Sequence, residues 1–352
     1  MRSAAPRRAL GATALAVLAA CAVAAPAHAA VAATAQAVTD ERPDRDFTIE
    51  DPRITESSGL AASRLHPGIY WTHNDQDAPL IYGVDSRTGK TVATLTMKGV
   101  GTPRDMEAIS IGPDGGIYVG DIGDNLDGTW DHVWIYRFPE PKTLRDQTVQ
   151  ATQYVVKYAD GARNAEALMV HPKTGRIYIA SKNQKGGGLY EGPAHLTTSG
   201  TNVFRRIGEV PWVTDGAFSP DGGRLVLRGY FAAKEYTWKD GRIAGDGTAV
   251  AAPFQGQAES VTYTTDGSAF MFGSEGQKSR VVRVDRTDGG PGQGDGGGSG
   301  GGGSSAKDPK TPGAGSAAPN SDEGQGNFGV GVIVLGVAFA AWFGLKRLFR
   351  RD

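Results

Sequence analysis

The sequence predicts an all-β fold in which one short-strand unit is copied and closed into a ring. Two observations predict it. A unit of strand, turn and second strand recurs five times between residues 46 and 286, at spacings of 44 to 59 residues, near the ~40–50 residues of a propeller blade. The copies also share their turn chemistry, Pro, Asp and Gly between β-branched and aromatic runs, which is a hairpin signal.

The clearest copies are Met106–Val119, Ala165–Ile179 and Ala258–Met271; Asp215–Leu227 is a fourth, and Ser57–Ser63 leading to Gly68–Trp71 is a looser fifth. Third strands follow at Leu80–Val84, Val133–Phe138, Gly188–Tyr190, Lys234–Trp238 and Arg280–Val284. Outer strands fit Thr91–Met97, Gln153–Tyr158, Val203–Val210 and Ala249–Phe254. The last unit has no outer strand before the chain turns Gly-rich, and Asp46–Glu50 is placed to supply it. Joining the first strand to the last unit removes exposed sheet edges. The reading is a five-bladed β-propeller, with six blades as the alternative; a β-sandwich does not explain the copied turn.

The two ends have different physics. Arg2, Arg7 and Arg8 precede an Ala/Leu/Val run that ends at Ala27-His28-Ala29. That order reads as a secretory signal peptide over residues 1–29. Leu18-Ala19-Ala20-Cys21 also resembles a bacterial lipobox, so lipidation at Cys21 stays open beside cleavage after Ala29. Residues 30–45 read as a flexible N-terminal segment. Residues 287–327 are a Gly/Ser/Pro-rich tract that cannot build a core and reads as a disordered linker, with a root-mean-square reach of about 35 Å.

Phe328 to Leu345 is an 18-residue run without a charge, about 27 Å long as a helix and close to the ~30 Å hydrocarbon thickness. Lys346, Arg347, Arg350 and Arg351 follow it at once in the tail, 346–352. The positive-inside rule then puts the tail in the cytoplasm and the N-terminal bulk outside the cell. The expected protein is a single-pass cell-membrane protein, anchored by this C-terminal helix, with an extracellular ligand or protein partner that the sequence does not name.

Charge narrows the partners. Between the signal and the membrane run the chain carries 30 Lys and Arg against 37 Asp and Glu, a net of −7. An acidic ectodomain argues against nucleic acid. The single cysteine, Cys21, lies in the signal segment, so the predicted domain, 46–286, has no disulfide.

On the blade pattern of residues 46–286, the units resemble the superfamily of WD40 and YVTN-type propellers, although the Gly-His and Trp-Asp signatures of true WD40 repeats are absent. The Ala-rich signal and the anchor resemble secreted propellers of high-GC Gram-positive bacteria. Some such families carry esterase-like or phytase-like labels, so the resemblance implies a candidate hydrolytic chemistry.

Chemistry is expected where first strands begin, because these line a propeller's channel. Glu107, Glu166 and Glu259 align at that place, with Glu56 and Asp215 nearby. The loops between second and third strands reach the same face and hold His73-Asn74-Asp75, the Asp121–Asp127 run with Asp124 and Asn125, Lys182-Asn183, Arg228 and Glu275. Carboxylates crowded at one mouth stay ionised only beside a cation. Oxygen ligands without cysteine suit a hard ion, Ca²⁺ first. The candidate metal ligands are Glu107, Glu166, Glu259, Asp121 and Asp124. The candidate binding residues are His73, Asn74, Asp75, Asn125, Lys182, Asn183 and Arg228, with Lys182 and Arg228 better suited to balancing the acids than to holding a substrate anion. The same glutamates also fit a structural role, as partners of neighbouring backbone amides. No nucleophile elbow, zinc-protease helix or P-loop occurs. The reading therefore favours a binding module over a metal-assisted hydrolase of phosphoesters or esters, with glycosidic chemistry third.

Overall fold

A computed structural model describes residues 43–75, 78–125 and 128–287. Every regular element among these residues is a β-strand, and none is a helix. The predicted signal peptide, linker, membrane helix and tail lie outside the described residues.

β1 is Phe47–Thr48. The first unit is β2 (Ser57–Ala62), β3 (Ile69–Asn74), β4 (Leu80–Asp85) and β5 (Thr91–Lys98). The second is β6 (Met106–Ile111), β7 (Gly116–Asp121) and β8 (Val133–Pro139), followed by β9 (Gln147–Gln150) and β10 (Thr152–Tyr158). The third is β11 (Ala165–Val170), β12 (Ile177–Ser181), β13 (Gly187–Glu191) and β14 (Thr201–Val210). The fourth is β15 (Asp215–Phe218), β16 (Arg224–Arg228), β17 (Ala233–Lys239) and β18 (Arg242–Val250). The fifth is β19 (Ser260–Tyr263), β20 (Ala269–Gly273) and β21 (Arg280–Asp285).

Neighbouring strands within each unit pair antiparallel, and the units form a multi-sheet, propeller-like arrangement. The first strands touch in cyclic order: β2 with β6, β6 with β11, β11 with β15, β15 with β19, and β19 with β2. β1 completes the sheet of the fifth unit, with Phe47 opposite Val281 on β21.

The copied turn has a local cause. Asp114 accepts the Gly116 amide at 3.0 Å, Asp221 the Gly223 amide at 2.9 Å, and Asp266 the Ser268 amide at 3.0 Å. Each aspartate caps its own turn. The glycine after it sits at positive φ (68° at Gly115, 75° at Gly222, 71° at Gly267), where an L side chain is strained.

Two details depart from the sequence pattern. The fourth unit's outer strand was expected at Ala249–Phe254 and lies at Arg242–Val250. Asp240 (φ 52°) and Gly241 (φ 73°) make a two-residue turn that pairs Lys239 with Arg242, so the strand begins at once. β9 was not expected; it pairs parallel to β5, with Leu95 opposite Gln147. A second parallel seam joins β10 to β14, with Val155 opposite Thr201, and merges the second and third units into one eight-stranded sheet.

Apolar layers fill the spaces between successive units. Trp71, Ile81 and Leu95 pack on Met106, Val119 and Phe138. Ile135 and Tyr118 pack on Leu168, Ile179 and Phe204. Met169, Tyr178 and Leu189 pack on Leu225, Leu227 and Trp238. Val226 and Ala233 pack on Val261, Phe270 and Phe272. Finally Phe47, Ile49, Met271 and Val281 pack on Leu60, Tyr70 and Val84, joining last unit to first. Ile49 is 1% exposed at this closing layer, so Ile49→Ala should destabilise the protein by about 2–4 kcal/mol. Urea unfolding checks this, and an unchanged midpoint would mean that the closing layer carries little of the stability.

Candidate functional site

The starts of the first strands converge on a buried acidic mouth, and the backbone explains why. The pairing of β6 with β7 slips between Met106 and Ala108, and that of β11 with β12 slips between Ala165 and Ala167. Glu107 and Glu166 are therefore the extra residues of two β-bulges, devices that re-aim a side chain. Glu259 immediately precedes β19 and is also buried.

Three carboxylates group most tightly. Asp75, just after β3, and Asp105 and Glu107, at the start of β6, each place an oxygen within 4.8 Å of the others. All three are buried. Asn125 donates to Asp105 Oδ2 at 3.0 Å. Gly123 presses its backbone against the pair, since a Cβ there would lie 2.5 Å from Asp105 Oδ2 and 2.8 Å from Glu107 Oε1. Such a group could bind a metal: it is oxygen-only, buried and rich in negative charge. Asp105 and Gly123 were missed in the sequence. The repeat carried no signal for Asp105, since Asn164 and Gln257 stand at the matching places before Glu166 and Glu259.

The other side of the mouth carries its own cation. Lys182 Nζ lies 2.9 Å from Glu166 Oε1 and 5.0 Å from the centre of the Tyr230 ring. Burial pulls the Lys182 pKa down, but Glu166, Glu259, Tyr230 and Glu107 outweigh it and hold the ammonium charged. Glu166 is pushed up to about 8, first by burial and then by Glu259 and Asp75, against the pull of Lys182. Glu107 is also raised, by burial and by the negative charge of Glu166, Asp75 and Asp105.

Other predicted residues have structural partners. Asp121 accepts the amides of Arg104 (3.0 Å) and Asp105 (2.8 Å) and the Tyr136 hydroxyl. Asp124 accepts the Trp130 amide and the Thr129 hydroxyl. Neither belongs to the Asp75–Asp105–Glu107 group, and Leu126 and Asp127 of the same run lie outside the described residues. Asn74 accepts the amides of Thr55 and Glu56 and donates to the Arg53 carbonyl. His73 is fully buried, and burial lowers its pKa to about 4, so the ring is neutral. Asn183 is exposed and caps a turn through the Lys185 amide.

Arg228 donates to the carbonyls of Ser260 (2.7 Å) and Gly273 (2.6 Å) and to Gln255 Oε1 (2.8 Å), tying the fourth unit to the fifth. Burial brings its pKa down to about 10. Asp215 holds the Val261 amide at 2.8 Å across the same seam.

No family model matches the chain, and no curated protein matches it either. Solved structures with similar folds include the PQQ-bound aldose sugar dehydrogenase of Streptomyces coelicolor, 13% identical over 69% of this chain and 99% of that chain, with a TM-score of 0.41. An auxiliary nutrient binding protein from Bacteroides thetaiotaomicron is 13% identical over 68% of this chain and 59% of its own, with a TM-score of 0.38. The WD40 repeats of RRP9 are 10% identical over 65% of this chain and 80% of theirs, with a TM-score of 0.36. Likenesses at this level carry no argument about ligand or activity.

The raised Glu166 pKa has a signed consequence. Its proton is held more tightly in the folded chain than in the unfolded one, where the ordinary value of 4.5 applies. Its stabilising contribution is full below about 4.5 and is lost as pH rises toward about 8. In chelator-treated protein the melting temperature should fall over that window, and Glu166→Gln should flatten the fall. Melting curves from pH 4.5 to 8 check it; equal slopes in wild type and variant would contradict it.

Proposed function

We propose that the protein is a surface-displayed binding module: a five-bladed propeller that holds Ca²⁺ at one end of its channel, carried outside the cell on a linker and a membrane helix. The observation that carries the cation is the buried group Asp75–Asp105–Glu107, with one oxygen from each within 4.8 Å of the others. Three carboxylates in such space repel one another unless a cation neutralises them or protons are taken up, and a hard divalent ion with several oxygen ligands suits them. Five blades are supported by the cyclic contacts of the five first strands. Export and anchoring are supported by the basic, apolar and small-residue order of residues 1–29 and by the charge-free run 328–345 with its basic flank.

Binding is favoured over hydrolysis by what the cations touch. A hydrolase of phosphoesters would turn Lys182 and Arg228 toward a substrate anion. Instead Lys182 pairs with Glu166, and Arg228 binds two backbone carbonyls and Gln255.

A ligand that binds only the folded state raises the melting point by mass action. At Ca²⁺ near a hundred times the dissociation constant, the rise over EDTA-treated protein should be about 5–10 °C. Glu107→Gln should abolish it, and Gly123→Ala should weaken it by crowding the carboxylates. No rise in wild type would remove the cation from the reading. Chelator-sensitive turnover of a phosphoester would replace the binding module by the hydrolase.

The topology has a separate test. Protease added to intact cells should release the domain by cutting within 287–327 and leave the 328–352 segment with the membrane. A protected domain would overturn the surface assignment.

A further inference from the structure

The opposite end of the channel holds a cavity of about 400 Å³. Its wall takes a residue from the far end of every first strand: Ala62, Ile111, Val170, Phe218 and Thr262. That size lies within the range of small-molecule pockets, and the larger part of its exposed lining is polar.

Its charge is the reverse of the acidic mouth. The lining includes Arg64 and Lys173 and no Asp or Glu. Both cations stand where their units break the copied turn. In the second, fourth and fifth units the turn carries Asp114, Asp221 and Asp266, and each of these carboxylates folds back onto its own turn amide. In the third unit the matching residue is Lys173. In the first unit Arg64 occupies the place held by Pro113, Pro172 and Pro220 in others. The repeat thus keeps its aspartates out of the cavity, and its two departures put cations into the wall. Glu140 and Asp114 act on Arg64 electrostatically, and Asp221 on Lys173. Glu140 is engaged by the Ser63 hydroxyl, the Arg64 amide and the Trp71 indole, Asp114 by Arg137, and Asp221 by its own turn. A further donor lines the cavity: Ser110 Oγ accepts the Val170 amide at 3.1 Å, and so keeps its own proton to give.

We propose that this cavity binds a small soluble phosphomonoester with a compact apolar body. Two cations on separate turns suit a dianionic head, the Arg64 guanidinium offering paired donors and the Lys173 ammonium a point charge. Ala62, Ile111 and Phe218 provide the apolar wall. The site is separate from the acidic mouth and stands whether or not that mouth binds Ca²⁺.

The probe is phenyl phosphate, titrated calorimetrically into the full chain in EDTA, so that a cation at the other end contributes nothing. Saturable one-to-one binding is expected, with displacement by inorganic phosphate and no binding of phenol. Arg64→Ala and Lys173→Asp should each weaken binding at least tenfold while keeping the wild-type melting temperature. Lys173→Asp is a mild change for the fold, because Lys173 is exposed and the turn is held by His171 and Thr174 rather than by its side chain. Absence of saturable binding, equal affinity in the variants, or equal binding of phenol would overturn the proposal. Binding to phosphatidic acid vesicles without binding of phenyl phosphate would overturn the soluble ligand in favour of a lipid headgroup.

Discussion

Shared apolar layers between successive units are the constraint on which the rest depends. A layer such as Trp71 and Ile81 against Val119 and Phe138 is half built by one unit and half by the next. An internal sheet is therefore a wall of two layers, and leaving either layer bare would expose aromatic and aliphatic side chains worth about 1.5–3 kcal/mol each when buried. The demand is met only when the last unit packs on the first, as Met271 and Val281 do on Leu60 and Tyr70 with Phe47 and Ile49 added from the N-terminal side. Short units without disulfides can be stable in this way because each borrows its neighbour's apolar face.

Closure has an electrostatic consequence. Once the first strands face one another, whatever side chains begin them are crowded and taken out of water. Two β-bulges send Glu107 and Glu166 into that space, and Glu259 enters at the head of β19. The mouth answers part of this charge with Lys182, whose ammonium lies against Glu166 and over Tyr230. Arg228 answers another part while bridging the fourth and fifth units. At Asp75, Asp105 and Glu107 three carboxylate oxygens crowd within 4.8 Å of one another, and Lys182 acts on Glu107 as well as on Glu166. At the other end the same copied turns hold their carboxylates in local hydrogen bonds, so one channel has an acidic end and an end lined by cations.

Legibility in the sequence followed the range of the interaction. The Pro/Asp/Gly turns were readable because Asp114, Asp221 and Asp266 act on amides two residues away. Glu107, Glu166 and Glu259 were readable because a copied position shows itself in any alignment of the units. The bulges that aim Glu107 and Glu166 were not readable, since a bulge is a relation between two strands. Asp121 and Asp124 looked equal to the other acids as residue types. Only the fold turned them onto the amides of Arg104, Asp105 and Trp130. The misplaced outer strand of the fourth unit came from passing over Asp240-Gly241, a local signal that was present.

The sequence by itself determined the unit, its turn, its all-β character and the acids at the head of each first strand, because these rest on backbone preferences and hydrogen bonds a few residues long. Tertiary structure decided which acids meet, which cation answers which carboxylate, and that a cavity with Arg64 and Lys173 lies at the far end of the strands. Those outcomes join residues such as Asp75 and Glu107, or Arg64 and Lys173, that are far apart in the chain. Their distances follow from how the sheets pack around the ring, which no single segment encodes.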